Sequence, residues 1–94
     1  MMMNGVVVSI IGRDRKGLLA EIAAAIADAG GNIEEIRGHT ILLQEGKKIV
    51  SLSLIVTDED VLDLYKQLKE RLKIVAEKLG LKINIYLLGD ILQQ

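Results

Sequence analysis

Hydrophobic residues along this chain alternate between two periods, and the switches fall at glycines and charged clusters. Val6-Val7-Val8-Ser9-Ile10-Ile11 is a short β-branched run and predicts a buried strand. The polar loop Gly12-Arg13-Asp14-Arg15-Lys16-Gly17 follows. Leu18 to Ala29 then turns helical: Leu18, Ile22, Ile26 and Ala29 share a face, flanked by Leu19 and Ala25. Most of the remaining positions are alanine, the strongest helix former. Gly30-Gly31 ends the helix, because glycine takes the left-handed cap conformation at least cost.

Ile33 to Gln44 reads as a second strand, with Ile36 and Leu42 on one face and Arg37, His39 and Ile41 on the other. Glu45-Gly46-Lys47 is a hairpin signal. In the third strand, Lys48 to Val56, Val50, Leu52, Leu54 and Val56 face one way, and Ile49, Ser51, Ser53 and Ile55 the other. Thr57-Asp58-Glu59-Asp60 predicts a helix start, with Thr57 or Asp58 as N-cap and acids that suit the dipole. The second helix runs from about Val61 to Leu79 on a stripe of Val61, Leu64, Tyr65, Leu68, Leu72, Val75 and Leu79. Lys66–Glu70 and Lys73–Glu77 are expected as ion pairs on its wet side. Gly80 ends it, Leu81 to Leu88 is the last strand, and residues 89–94 read as a tail.

The order β-α-β-β-α-β predicts an α+β ferredoxin-like sandwich: a four-stranded antiparallel sheet with two helices on one face. The 94 residues fit one domain, with its core over about residues 6–88. The helix-free face then carries Val7, Ile11, Ile49, Ser51, Ser53 and Ile55. Such a face suits contact with a second copy, although scattered surface apolars are an alternative.

Composition removes several function classes. Twelve basic against thirteen acidic residues give no sign of a general nucleic-acid or anionic-membrane binder. With no cysteine there are no disulfides, thiolate metal sites or thiol nucleophiles, and with one histidine, His39, no histidine cluster. His39 reads as a surface or interface residue. Two tyrosines and no Phe or Trp leave little for stacking bases. No apolar window approaches the roughly 20 residues of a membrane span, and no targeting signal is visible, so a cytoplasmic soluble domain is expected. The opening Met1-Met2-Met3 is given no role.

The loops hold the remaining chemistry. Arg13, Arg15 and Lys16 outnumber Asp14 just before a helix start, where free N–H groups and the dipole favour an anion such as a carboxylate. Gly17 lets a ligand approach the backbone. A solvated turn is the alternative. Gly12 and Gly17 have P-loop spacing, but Leu18-Leu19 stand where Lys and Ser or Thr are needed, so that motif is rejected. At the other helix end, Asn32 has the donors and acceptor to pair with both ends of an amino acid, or else serves a turn. The two loops lie about 18 Å apart by the helix rise, so closing both on one small ligand needs two subunits in antiparallel register.

The strand V-V-V-S-I-I-G, the segment R-D-R-K-G-L-L-A-E-I and the segment A-D-A-G-G-N-I together resemble the ACT domain over about Val6 to Leu88. The likeness is to single-domain members related to the glycine cleavage regulator and to the N-terminal part of formyltetrahydrofolate deformylases. It implies a non-catalytic regulatory module that binds an amino acid or similar ligand between two copies. The matching ligand positions are Asp14, Lys16, Gly17 and Leu18, with Asn32 and Ile33; Arg15 joins them by its place in the loop. Many members carry proline where this chain has Lys16, which loosens the loop and adds a cation. No metal, cofactor, nucleic acid or membrane is implied. The expected partners are another copy of the chain, a small-molecule ligand and a regulated protein.

Rival readings fit less well. An acylphosphatase-like enzyme needs a V-x-G-x-V-Q-G-V loop, which G-R-D-R-K-G does not match, and no nucleophile–base pair is evident. A metallochaperone needs Cys-x-x-Cys, and an RNA-recognition module needs aromatics on its central strands. A module that assembles without a ligand remains the alternative.

Overall fold

The computed structural model describes residues 5–92. Its elements are β1 (Gly5–Arg13), α1 (Leu18–Asp28), β2 (Asn32–Leu42), β3 (Lys48–Thr57), α2 (Val61–Leu79), β4 (Lys82–Leu87) and a short α3 (Leu88–Leu92). The four strands form one antiparallel sheet in the order β2-β3-β1-β4. This is the ferredoxin-like βαββαβ arrangement expected from the sequence.

The alternation in each strand decides which side chains meet the helices. Val6, Val8 and Ile10 of β1 and Leu54 and Val56 of β3 are fully buried. They pack on Leu18, Ile22 and Ile26 of α1 and Leu64, Leu68 and Leu72 of α2, which recur at helical spacing. No polar side chain is buried among the described residues. The hydrophobic effect and the backbone ladder therefore carry this core without buried polar side chains.

Both main helices end on glycines with positive φ, Gly30 at 85° and Gly80 at 68°. At the end of α1, Gly31 N–H donates to the Ile26 carbonyl and Gly30 N–H to the Ala27 carbonyl, a Schellman closure. Gly31 itself answers to packing. A Cβ there would lie 2.5 Å from Val56 Cγ1 and 3.0 Å from Leu64 Cδ1.

Along β2, strict alternation would set Ile33 on the same face as Arg37. A bulge between Ile33 and Glu35 adds one residue, so Ile33 pairs with Val56 and Ile36 with Leu54, both on the helix side. Beyond Arg37 the β2–β3 hairpin runs out past the core, and residues 37–48 are all exposed. Glu45 and Gly46 turn it with φ of 65° and 73°.

Three local expectations are corrected. The N-cap of α2 is Asp60, whose side chain accepts from Asp63 N–H at 3.1 Å, and not Thr57 or Asp58. The cause is that β3 continues through Thr57, which pairs with Gly5 and Asn32. The segment read as a tail begins with α3, one helical turn that touches β1 and β4; residues 93–94 and the Met1–Met3 opening lie outside the described residues. Lys66–Glu70 and Lys73–Glu77 do not form ion pairs. Lys78 instead reaches Glu21 across the two helices at 3.3 Å, and Arg37 meets Glu35 at 2.8 Å. Pairs this exposed contribute little, so their geometry is weakly dictated by sequence.

Candidate functional site

The first candidate segment leaves β1 at Arg13 and enters α1 at Leu18. Gly17 stands at the helix start with φ 79° and ψ 1°, left-handed backbone that favours glycine. A Cβ at Gly17 would meet nothing within 4 Å, so the backbone there faces open space. Among the described residues no side chain caps α1, and a glycine in this place has no side-chain oxygen to offer its first turn. Leu18 N–H donates back to the Arg15 carbonyl at 3.3 Å, and the start of α1 presents its remaining first-turn N–H groups next to Arg15 and Lys16.

The β2–β3 hairpin stands across from this loop, because antiparallel pairing sets Arg13 opposite Ile49. Asp14 N–H donates to the Lys48 carbonyl at 3.0 Å and ties the two segments together. Between Arg13–Lys16 on one side and Glu45–Lys48 on the other lies an open cleft of about 540 Å³. Five basic side chains and two acidic ones line it, a local excess of positive charge in a chain whose net charge is −1. The contribution of the hairpin is not evident from loop motifs. The signal for it was the length of β2 and β3, which carries Lys47 and Lys48 to the end of β1.

The second candidate segment lies at the far end of α1, roughly 16 Å away by the rise of an 11-residue helix. Asn32 is exposed, and its Nδ2 donates to Glu34 Oε1 at 2.8 Å; Thr57 Oγ1 donates to the same oxygen at 3.1 Å. Ile33 packs against the core, and Leu18 is a core residue at 4% exposure. The fold thus groups Asp14, Arg15, Lys16 and Gly17 in one place. It leaves Asn32 and Ile33 in another, and puts the Leu18 side chain beneath the site.

The helix-free face is a grid of three rows read across β4, β1, β3 and β2. They are Tyr86-Val7-Ile55-Glu35, Asn84-Ser9-Ser53-Arg37 and Lys82-Ile11-Ser51-His39. Ile11 and Tyr86 are each about half exposed on it, at 50% and 46%, as is Ile41 at 47% in the next row, Arg13-Ile49-Ile41. His39 is exposed at the β2 margin. Among the described residues no group of His, Asp or Glu is placed to hold a metal ion, and no helix is long and apolar enough to cross a membrane.

Comparison with known proteins agrees with this architecture. A UPF0237 protein of Methanopyrus kandleri is 32% identical over 83 residues, spanning 88% of this chain and 87% of the relative. A solved structure of an unknown protein from Galdieria sulphuraria superposes with a TM-score of 0.80 at 23% identity, over 88% of this chain and 48% of that one. The ligand-free regulatory subunit of aspartate kinase from Thermus thermophilus gives 0.65 at 18% identity, over 88% and 50%. This chain spans about half of each of those two solved chains. The family model for the ACT domain matches residues 6–73, and with the βαββαβ order, the glycine-closed helices and the Asp14–Gly17 loop in place, the chain belongs to the ACT domain family.

Proposed function

We propose that this chain is a non-catalytic regulatory domain that binds a small carboxylate ligand, an amino acid, where two copies meet. The observation that carries this reading is the cationic cleft between the Arg13–Gly17 loop and the β2–β3 hairpin. Its surplus of basic side chains, next in sequence to the start of α1, complements a carboxylate. Membership of the ACT family and the likeness to a regulatory subunit support a sensing role over a chemical one. The cleft is open and shallow for a small ligand, and Asn32 sits at the opposite helix end. A second copy in antiparallel register would bring its Asn32 and Ile33 against the Asp14, Arg15, Lys16 and Gly17 of the first. The half-apolar open face and the long free edge of β2 are the surfaces available for that pairing.

Calorimetric titration with the twenty amino acids tests this, run on the wild-type chain and on Lys16→Glu and Asn32→Ala variants. Light scattering gives the mass in parallel. The expected result is a dimer that takes up one or a few amino acids, with binding lost in Lys16→Glu and weakened in Asn32→Ala. A monomer, or heat that survives both substitutions, overturns the reading.

A ligand-free assembly module is the second reading, and one observation favours it: the Asn32 amide is already held by Glu34. Thermal stability separates the two. A ligand at 100 times its Kd adds about 2.7 kcal/mol, whereas an assembly module is unmoved by all twenty amino acids.

A further inference from the structure

Among the described residues the edge strand β4 pairs with β1 alone, so its other side offers backbone groups for a further strand. Beside that edge, on the helix side, a groove of about 620 Å³ runs between β4 and α2. Ile83 and Ile85 form its floor, and Tyr65, Lys69 and Lys73 of α2 form its wall. No acidic side chain lines it. Lys69 is held over the Tyr65 ring, with Nζ 5.2 Å from the centroid, which fixes one cation against the wall.

We propose that this groove captures an extended acidic peptide segment of a partner protein, which adds a strand to the free edge of β4. The spacings agree. Lys69 and Lys73 are one helical turn apart, about 6 Å of rise, and alternate residues of a strand advance about 6.6 Å. Glutamates at alternate positions meet both lysines in turn, and their aliphatic stems cover Ile83 and Ile85. Backbone pairing supplies affinity, and the lysines select the sign of charge. A second copy of this chain fits poorly as occupant. Lys-Ile-Asn-Ile-Tyr-Leu of β4 has no acid, so a β4–β4 pair would leave Lys69 and Lys73 without a counter-charge. The site lies apart from the Arg13–Lys48 cleft and does not depend on a ligand there.

The test is fluorescence anisotropy with a labelled (Val-Glu)4 amide, alongside (Val-Lys)4 and a (Val-Glu)4 N-methylated at every residue. The expected result is saturable binding of the acidic probe alone, weakened roughly tenfold or more by Lys69→Glu with Lys73→Glu. Circular dichroism checks that the double variant folds. Hydrogen exchange should then show slowed amides in Lys82–Leu87. Four results overturn the proposal: no binding of the acidic probe, equal binding of the N-methylated probe, protection confined to Arg13–Lys16 and Glu45–Lys48, or a doubling of mass through β4 without any probe.

Discussion

The two ends of α1 look alike in the sequence, since each is marked by glycine and a polar neighbour, yet they are built in opposite ways. The Gly30–Asn32 end is closed: its carbonyls are capped by Gly30 and Gly31, a Cβ on Gly31 would strike Val56, and Asn32 is bonded to Glu34. The Gly17 end is open: no side chain caps the helix, a Cβ would touch nothing, and cations from two segments gather beside it. A glycine that admits no neighbour secures the fold. One required only for its backbone angle leaves room above it, and that vacancy is where chemistry can happen.

Substitutions can break this contrast. Gly31→Val should have the largest effect, a loss of about 3 kcal/mol through overpacking against Val56, Leu64 and Ile26. Urea denaturation measures it; a loss below about 1 kcal/mol would show that the closed end yields easily. Gly17→Ala should cost about 1 kcal/mol, all of it from the left-handed φ. A much larger cost would mean that the open end is packed after all. Asn32→Ala removes one exposed hydrogen bond and should change stability by only a few tenths of a kcal/mol. A loss near 2 kcal/mol would make the Asn32–Glu34–Thr57 cluster structural and remove the reason to place a ligand there.

Much of the fold was legible because periodicity and glycines speak directly of faces and ends. The stripe Leu64, Leu68, Leu72 and Leu79 is buried as its spacing requires. Arg37, His39 and Ile41 share the open face with Ser53, Ser51 and Ile49. The illegible parts depend on distant residues. The N-cap of α2 shifts to Asp60 because β3 pairs one residue further than its apolar run. Gly31 reads as a loop residue until Val56 and Leu64 are seen beneath it. The candidate site was half legible: Asp14–Gly17 announce themselves as a cationic loop, but only the β1–β3 register brings Glu45–Lys48 alongside.

The extra residue in β2 has a consequence for how this domain tolerates change. Because Glu34 is the surplus one, losing it would restore simple alternation and leave every later side chain on its present side. Losing any one residue between Glu35 and Ile41 would instead turn part of the outer arm inside out, exchanging the Arg37 and His39 side with the Ile36 and Leu42 side. Natural length variation in this strand should therefore collect at a single position, and a gap elsewhere would mark a domain that exposes a different surface.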